Sequence, residues 1–295
     1  MTAEAPITLA LAQYPIERVA GVNGFAAKLD RLAGEAVSRG ADLLMLGEYA
    51  AVEIAGHEIA APDVAQELAI VARSAPALLE AMREIARRHR LWLLPGTLPI
   101  AANGTAHNRA PLIDAEGRIA FQEKRIMTRF EAEEWHISQG AAPSVFETPW
   151  GVIGIAICYD IEFPPLVRAA VEAGAWLMLC PSCTDTLAGF NRVRLSARAR
   201  ALENQCYVAI APTVGVAPWS ATLDVNRGYA AAFGPVDRGF PEDGVLARGA
   251  LDEPDLIITR LDPARLSRVR AEGGVFNHAD WPAAPIPPPA RQTPR

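Results

Sequence analysis

Short apolar runs alternate along the chain with segments whose apolar residues recur at helical spacing. Ile7–Ala12, Asp42–Leu46 and Leu91–Leu94 read as strands, the last two with apolar side chains at nearly every position, as in strands covered on both faces. Between them, Gly24–Arg39 places Phe25, Leu29, Leu32 and Ala36 on one helical stripe and ends at Gly40, a natural C-cap. Pro62–Arg90 contains a long helix that is most regular over Ala75–Arg88.

Arg109–Asp114 and Ile119–Gln122 flank the turn Glu116-Gly117 and predict a hairpin. Val145–Thr148 and Val152–Ile157 do the same around Trp150-Gly151. Pro164–Ala173 opens with prolines suited to a first helical turn. Trp176–Leu179, a helix over Arg192–Asn204 and the strand Cys206–Ala211 follow. Then come strands at Val245–Ala250 and Leu256–Thr259 and a short helix from Pro263. Strand–helix alternation mixed with hairpins predicts a layered α/β fold with mixed sheets. Residues 1–275 read as one domain, and the proline-rich segment 276–295 as an arm or tail with little to bury.

Composition narrows the function classes. The 295 residues are 51% hydrophobic and carry 28 basic against 34 acidic side chains, a net charge of -6. Such a surface offers no electrostatic footprint for nucleic acid. No apolar stretch approaches the ~20 residues of a membrane span, and the N-terminal segment lacks a basic leader, so the expected location is the cytoplasm. There the four cysteines, Cys158, Cys180, Cys183 and Cys206, are expected to be reduced thiols.

The chemistry-bearing signal is Gly154-Ile-Ala-Ile-Cys158-Tyr-Asp-Ile-Glu-Phe-Pro164: a buried strand runs into a cysteine and then into a proline-started helix. An elbow of this kind exposes a nucleophile and aims the next backbone N–H at a developing oxyanion. The plain alternative is a small buried hydrophobe. Thiolate formation needs a base or cation nearby, and none of the five histidines stands at a strand end. Two other polar residues do. Glu48 follows Leu43-Leu-Met-Leu-Gly, as a loop or a site residue; Lys124 ends Phe121-Gln-Glu, where taken alone it reads as a solvated charge. Cys180-Pro-Ser-Cys183 has the spacing of a redox dithiol or half a zinc site, but no second pair or spaced histidine accompanies it. Arg192–Arg200 reads as a solvated helix face, and Met45, Trp92 and Trp176 as core.

In order, these segments resemble the carbon–nitrogen hydrolase (nitrilase) superfamily over roughly residues 5–265. The match comprises the strand ending at Glu48, the hairpin Asn108–Gly117 closed by Lys124, a glutamate ahead of Ser138-Gln-Gly140, and the elbow Cys158-Tyr-Asp. Phe163-Pro, Arg168, Gly174-Ala, Pro181-Ser and Arg200-Ala-Leu-Glu203-Asn follow. The resemblance implies an αββα sandwich and a homodimer or larger homo-oligomer packed across a helical face. It implies a catalytic set of Cys158 as nucleophile, Glu48 as base and Lys124 beside the oxyanion, without metal or organic cofactor. A fourth polar residue is expected at Glu133 by its distance from Ser138, with Glu134 next, while Glu131 is assigned to a solvated face. Tyr159 is expected to lend its N–H, and Tyr49, Phe130, Trp135, Cys183 and Thr184 to line the substrate pocket. Cys-Tyr-Asp is similar to the amidase-type branches and favours a small linear amide. N-carbamoyl amino acid or nitrile hydrolysis, a non-catalytic binding protein that keeps the fold, and a thiol redox protein are the competing readings.

Overall fold

A computed structural model describes residues 5–102 and 105–281. The elements run β1 (Ile7–Pro15), α1 (Gly21–Ser38), β2 (Leu43–Leu46), a 3₁₀ segment Ala50–His57, α2 (Val64–His89), β3 (Trp92–Pro95), β4 (Leu98–Ala102), β5 (Thr105–Ile113), β6 (Ile119–Glu123) and α3 (Arg129–Glu133). They continue with β7 (Val145–Thr148), β8 (Gly151–Ile155), a 3₁₀ turn Cys158–Glu162, α4 (Pro164–Glu172), β9 (Leu177–Ser182), α5 (Leu187–Asn204) and β10 (Tyr207–Val216). Last come β11 (Val225–Asn226), β12 (Ala231–Phe233), β13 (Val245–Arg248), β14 (Asp255–Leu261), α6 (Pro263–Glu272) and α7 (Asn277–Asp280). Most of the expected proline-rich arm, from residue 282 on, lies outside the described residues.

The strands form two sheet halves. In one, β14, β1, β2, β3 and β5 lie side by side, with β4 and β6 on β5; in the other the order is β7, β8, β9, β10, β12, β13. They join where Tyr14 and Pro15 of β1 pair in parallel with Thr213 and Val214 of β10. The alternation along β1 explains the layering. Ile7, Leu9 and Leu11 face the second half, where they pack with Leu43, Met45, Ile153, Ile155 and Leu179. Ala10, Ala12 and Tyr14 face outward and are covered by Phe25, Leu29 and Ala36 of α1 and by Leu78, Met82 and Ile85 of α2. On the other side, α4 and α5 cover β8–β10 through Val167, Ala170, Phe190, Val193 and Ala197. The expected αββα sandwich is therefore the observed one. Among the described residues no helix is long and apolar enough to cross a membrane.

β1, β2, β3, β8, β9 and β10 run in one sense, as their pairings show. β6, antiparallel to β5, which is itself antiparallel to β3, runs the same way. The C-terminal ends of these strands meet at one edge, the usual place for a site in a parallel sheet. There Gly47 closes the two halves together. A Cβ on it would lie 2.4 Å from the Thr213 nitrogen, 2.7 Å from the Pro212 carbonyl carbon and 2.9 Å from the Ser182 oxygen. The neighbouring Glu48 N–H donates to that Ser182 carbonyl at 3.2 Å. Because the obstructing atoms are backbone, Gly47→Ala is expected to lower the unfolding free energy by about 2–3 kcal/mol. Denaturant unfolding checks this: a midpoint equal to wild type would show that the strands can separate without cost.

Candidate active site

Three strand ends deliver three side chains to one buried point. Glu48 stands two residues past β2, Lys124 directly after β6, and Cys158 after β8. All are buried, at 2%, 1% and 4% exposure. The Lys124 Nζ donates to Glu48 Oε1 at 2.8 Å and to Glu131 Oε2 at 2.6 Å. The Cys158 thiol lies within hydrogen-bonding reach of the Glu48 carboxylate and also meets the Cys183 carbonyl at 3.5 Å. Asn108 spans both acids, its Nδ2 donating to Glu48 Oε1 at 2.8 Å and to Glu131 Oε1 at 3.2 Å.

The backbone around these groups is unusual. Cys158 has φ +47° and Tyr49 φ +59°, left-handed conformations that non-glycine residues seldom adopt and that cluster at functional sites. The cysteine elbow is clamped to the lysine segment through Asp160, whose carboxylate accepts from the N–H groups of Arg125 and Ile126 at 3.0 and 2.8 Å. Asp160 thus ties the turn holding the thiol to the residues that follow Lys124. Its burial raises its pKa to about 6, against the pull of those two N–H donors.

The two carboxylates around Lys124 are not equivalent. Glu131 accepts from Lys124, from the Thr128 N–H and hydroxyl (both 2.9 Å), from the Tyr49 hydroxyl (2.7 Å) and from Asn108. Burial opposes its charge, but the lysine and these donors outweigh it and hold its carboxyl below the ordinary range. Glu48 has fewer donors. Burial raises its pKa to about 7, Lys124 pulls it down, and the Glu131 charge adds to the rise. Lys124 is kept protonated: burial disfavours its charge, yet Glu131, Glu48 and Cys158 push its pKa well above the ordinary lysine value. The Cys158 thiol is pushed well up by burial and by the charge of Glu48, with Lys124 acting against both. The resting set is a neutral thiol, a fixed Lys124–Glu131 ion pair and a second carboxylate that titrates near neutrality.

The α3 carboxylate that meets Lys124 is therefore Glu131 and not the expected Glu133 or Glu134. Glu133 lies on the exposed face of α3, bonded to Arg129 at 2.7 Å, and Glu134 is exposed at its C-cap. The reason is local. Thr128 and Glu131 form a capping box, which folds the Glu131 side chain back over the helix start, where Lys124 lies. Thr128-Arg-Phe-Glu131 carries that signal in the sequence, and spacing to Ser138 overlooked it.

The expected pocket residues divide. Tyr49 is buried with its hydroxyl on Glu131, and its ring meets Trp135 edge to face at 5.3 Å. Cys183 is half-buried, its thiol 3.4 Å from Asn226 Oδ1. The Thr184 hydroxyl is occupied by the Arg227 carbonyl at 2.9 Å. Tyr159 is half-buried and packs against Phe163 at 4.9 Å. Phe130, in the first turn of α3, is 55% exposed. All four cysteines are free thiols, and Cys180 and Cys206 are buried.

The profile of the carbon–nitrogen hydrolase family matches residues 8–271. The chain belongs to that family. A probable hydrolase of Bacillus subtilis is 29% identical over 271 residues, which is 92% of this chain and 52% of that relative; the chain spans about half its length. An omega-amidase of Xenopus tropicalis is 28% identical over 65% of this chain and 69% of its own length. Among solved structures, the NitFhit protein of C. elegans superposes with a TM-score of 0.75 at 21% identity, covering 92% of the present chain and 64% of that protein. The amidase of Nesterenkonia sp. AN1, in a form where acrylamide has added to its active-site cysteine, gives 0.71 at 26% identity over 93% of the present chain and 99% of that protein.

The two glutamates of α3 separate in a stability measurement. Glu131→Ala strips a buried ammonium and several donors of their acceptor and is expected to cost about 3 kcal/mol. Glu133→Ala, at the surface, leaves the unfolding midpoint in place. Equal midpoints for the two variants would contradict the burial of Glu131.

Proposed function

We propose that this hydrolase cleaves the C–N bond of a small linear amide through a thioester on Cys158, with Glu48 as general base. The observation that carries this reading is the ammonium of Lys124 held between Glu131 and a Glu48 carboxylate that also faces the Cys158 thiol. In the first half-reaction Glu48 takes the thiol proton as the sulfur attacks the amide carbon, and the carbonyl oxygen becomes an oxyanion. Lys124 and the N–H of Tyr159 supply positive potential to that oxygen. Collapse expels the nitrogen, which leaves as ammonia or an amine with the proton held by Glu48. Water, deprotonated by the same carboxylate, then attacks the thioester, and the thiol recovers its proton as the acid departs. Glu131 keeps Lys124 charged and in place, and Tyr49 and Trp135 wall the acyl side.

The amide assignment is supported by Cys158-Tyr-Asp160, by the amidase from Nesterenkonia and by the omega-amidase of Xenopus tropicalis among the similar proteins. The same set of groups would open an N-carbamoyl bond, so the substrate panel spans both classes and includes nitriles. The proposed enzyme works in the cytoplasm as a homo-oligomer and needs no organic cofactor.

Ammonia release across that panel, with intact-mass detection of an acyl adduct, tests the proposal. Cys158→Ala is expected to lose the adduct and to lower turnover by roughly 10⁴-fold or more. Activity in the variant equal to wild type would exclude the thioester route.

The pH dependence follows from the active form of Glu48, which is ionised. Activity is therefore lost as pH falls through the pKa of about 7 and is retained above it. A kcat/KM profile flat from pH 5 to 8 would remove Glu48 from the role of base; the midpoint belongs to the coupled cluster.

A further inference from the structure

Asn108 stands at the centre of the ion cluster without a part in the chemistry above. It is fully buried on β5. Its carbonyl accepts the Lys124 N–H at 2.8 Å, so the residue is joined to the lysine through the backbone. Both hydrogens of its side-chain amide go to carboxylates, one to Glu48 and one to Glu131. The orientation is forced, since a reversed amide would aim its oxygen at two acids. The consequence is an orphan: Asn108 Oδ1 is buried with no partner. Burying an unpaired acceptor costs stability that an apolar residue of the same shape would not incur. What the amide supplies in return is a donor to each acid at the point where they compete for one lysine.

We infer that Asn108 is a positioning residue that keeps Glu48 ionised and turned toward the thiol. The inference rests on the reading of Glu48 as base. Lys124 alone must divide its hydrogen bonds between two carboxylates, and Glu131 has Thr128 and Tyr49 as well. Glu48 has no such surplus. Removing the amide takes away its second strong donor while the negative charge of Glu131 stays beside it. The proton then remains on Glu48 to higher pH, and the thiol loses its acceptor. Oxygen Oε1 of Glu48 receives both Lys124 and Asn108, so the same amide fixes the rotation of the carboxyl group.

The test uses the intact protein and needs no substrate. Alkylation of Cys158 by iodoacetamide is followed by peptide mass mapping from pH 5 to 9.5, which separates Cys158 from the half-buried Cys183. Asn108→Leu, close in volume and without a donor, is expected to move the midpoint of the acid limb up by roughly one unit. The rate at pH 7 then drops several-fold, and most of it returns by pH 9. Asn108→Ala, which leaves room for a water to donate, should shift less and also serves if the leucine variant does not fold. An unchanged midpoint with the same fractional loss at every pH would reduce Asn108 to a packing role. Glu48→Gln run in parallel separates the two levels. If it retains the wild-type acid limb, the base assignment falls and the inference with it. If it abolishes the limb while the Asn108 variants leave the midpoint in place, only the inference falls.

Discussion

The ammonium of Lys124, 1% exposed, is the group around which the rest is arranged. A lone buried cation is untenable, because taking it out of water costs several kcal/mol that only close opposite charge and hydrogen bonds return. Two carboxylates meet it at 2.8 and 2.6 Å. Two acids around one base leave a surplus negative charge, and the protein settles it by inequality. Glu131 is bonded on both oxygens by its own helix start and by Tyr49, so it forms the permanent ion pair. Glu48 is left with the variable proton. A carboxylate whose ordinary pKa of 4.5 would leave it a weak base at neutral pH becomes a group that exchanges protons near neutrality.

Such an arrangement tolerates little displacement, and the sandwich supplies the rigidity. Glu48 follows β2, every side chain of which is buried, and Cys158 follows the buried run Ile153–Ile157. The joins between segments are backbone contacts: Gly47 against Pro212 and Thr213, Gly140 against the Lys124 carbonyl, Glu48 N–H on Ser182. Asp160 binds the cysteine turn to Arg125 and Ile126. The Glu48 loop is anchored a second time from behind. Glu53, buried in the following 3₁₀ segment, meets Lys28 at 2.9 Å and the Tyr14 hydroxyl, and Lys28 also sits over the Tyr14 ring. This outer ion pair holds the far end of the segment that begins at Glu48.

Most of this architecture is legible in the sequence because burial on two faces writes itself as unbroken apolar runs. Ile7–Ala12, Asp42–Leu46 and Cys206–Ala211 all fall within or across observed strands, and Glu48 and Cys158 follow such runs as polar interruptions. What escaped was set by local chemistry. β4 follows directly on Pro95-Gly96 and has Pro99 inside it, and punctuation of that kind reads as loop. α5 begins at Leu187 because the Thr186 hydroxyl caps Gly189, whereas Gly189 by itself suggests a helix that has not yet started. Among the clustered glutamates Glu131, Glu133 and Glu134, periodicity cannot say which carboxylate turns inward. The Thr128–Glu131 capping box does, and it reverses the choice of Glu133. Asn108 was visible only as part of a hairpin pattern; its bridge between acids exists only once β5, β2 and α3 are assembled.

The thiol bears on how the proton moves. In a cysteine–histidine pair an imidazolium stabilises a standing thiolate. Here burial and the Glu48 charge push the Cys158 pKa well up, and Lys124 only partly opposes them. A standing thiolate next to an ionised Glu48 would place two negative charges beside Glu131, with one lysine among the three. The resting thiol is therefore neutral, and in the proposed reaction deprotonation accompanies attack, when the negative charge would pass from sulfur to the carbonyl oxygen near Lys124. In that proposal neutral Glu48 then carries the proton that the leaving nitrogen requires. The ionised Glu48 that the proposed reaction starts from is the costly state of the folded protein: its folded pKa exceeds the unfolded value, so its stabilising contribution is full below about pH 4.5 and is lost as pH rises through about 7. At neutral pH the site thus holds a base made reactive by its burial, at the expense of the fold that buries it.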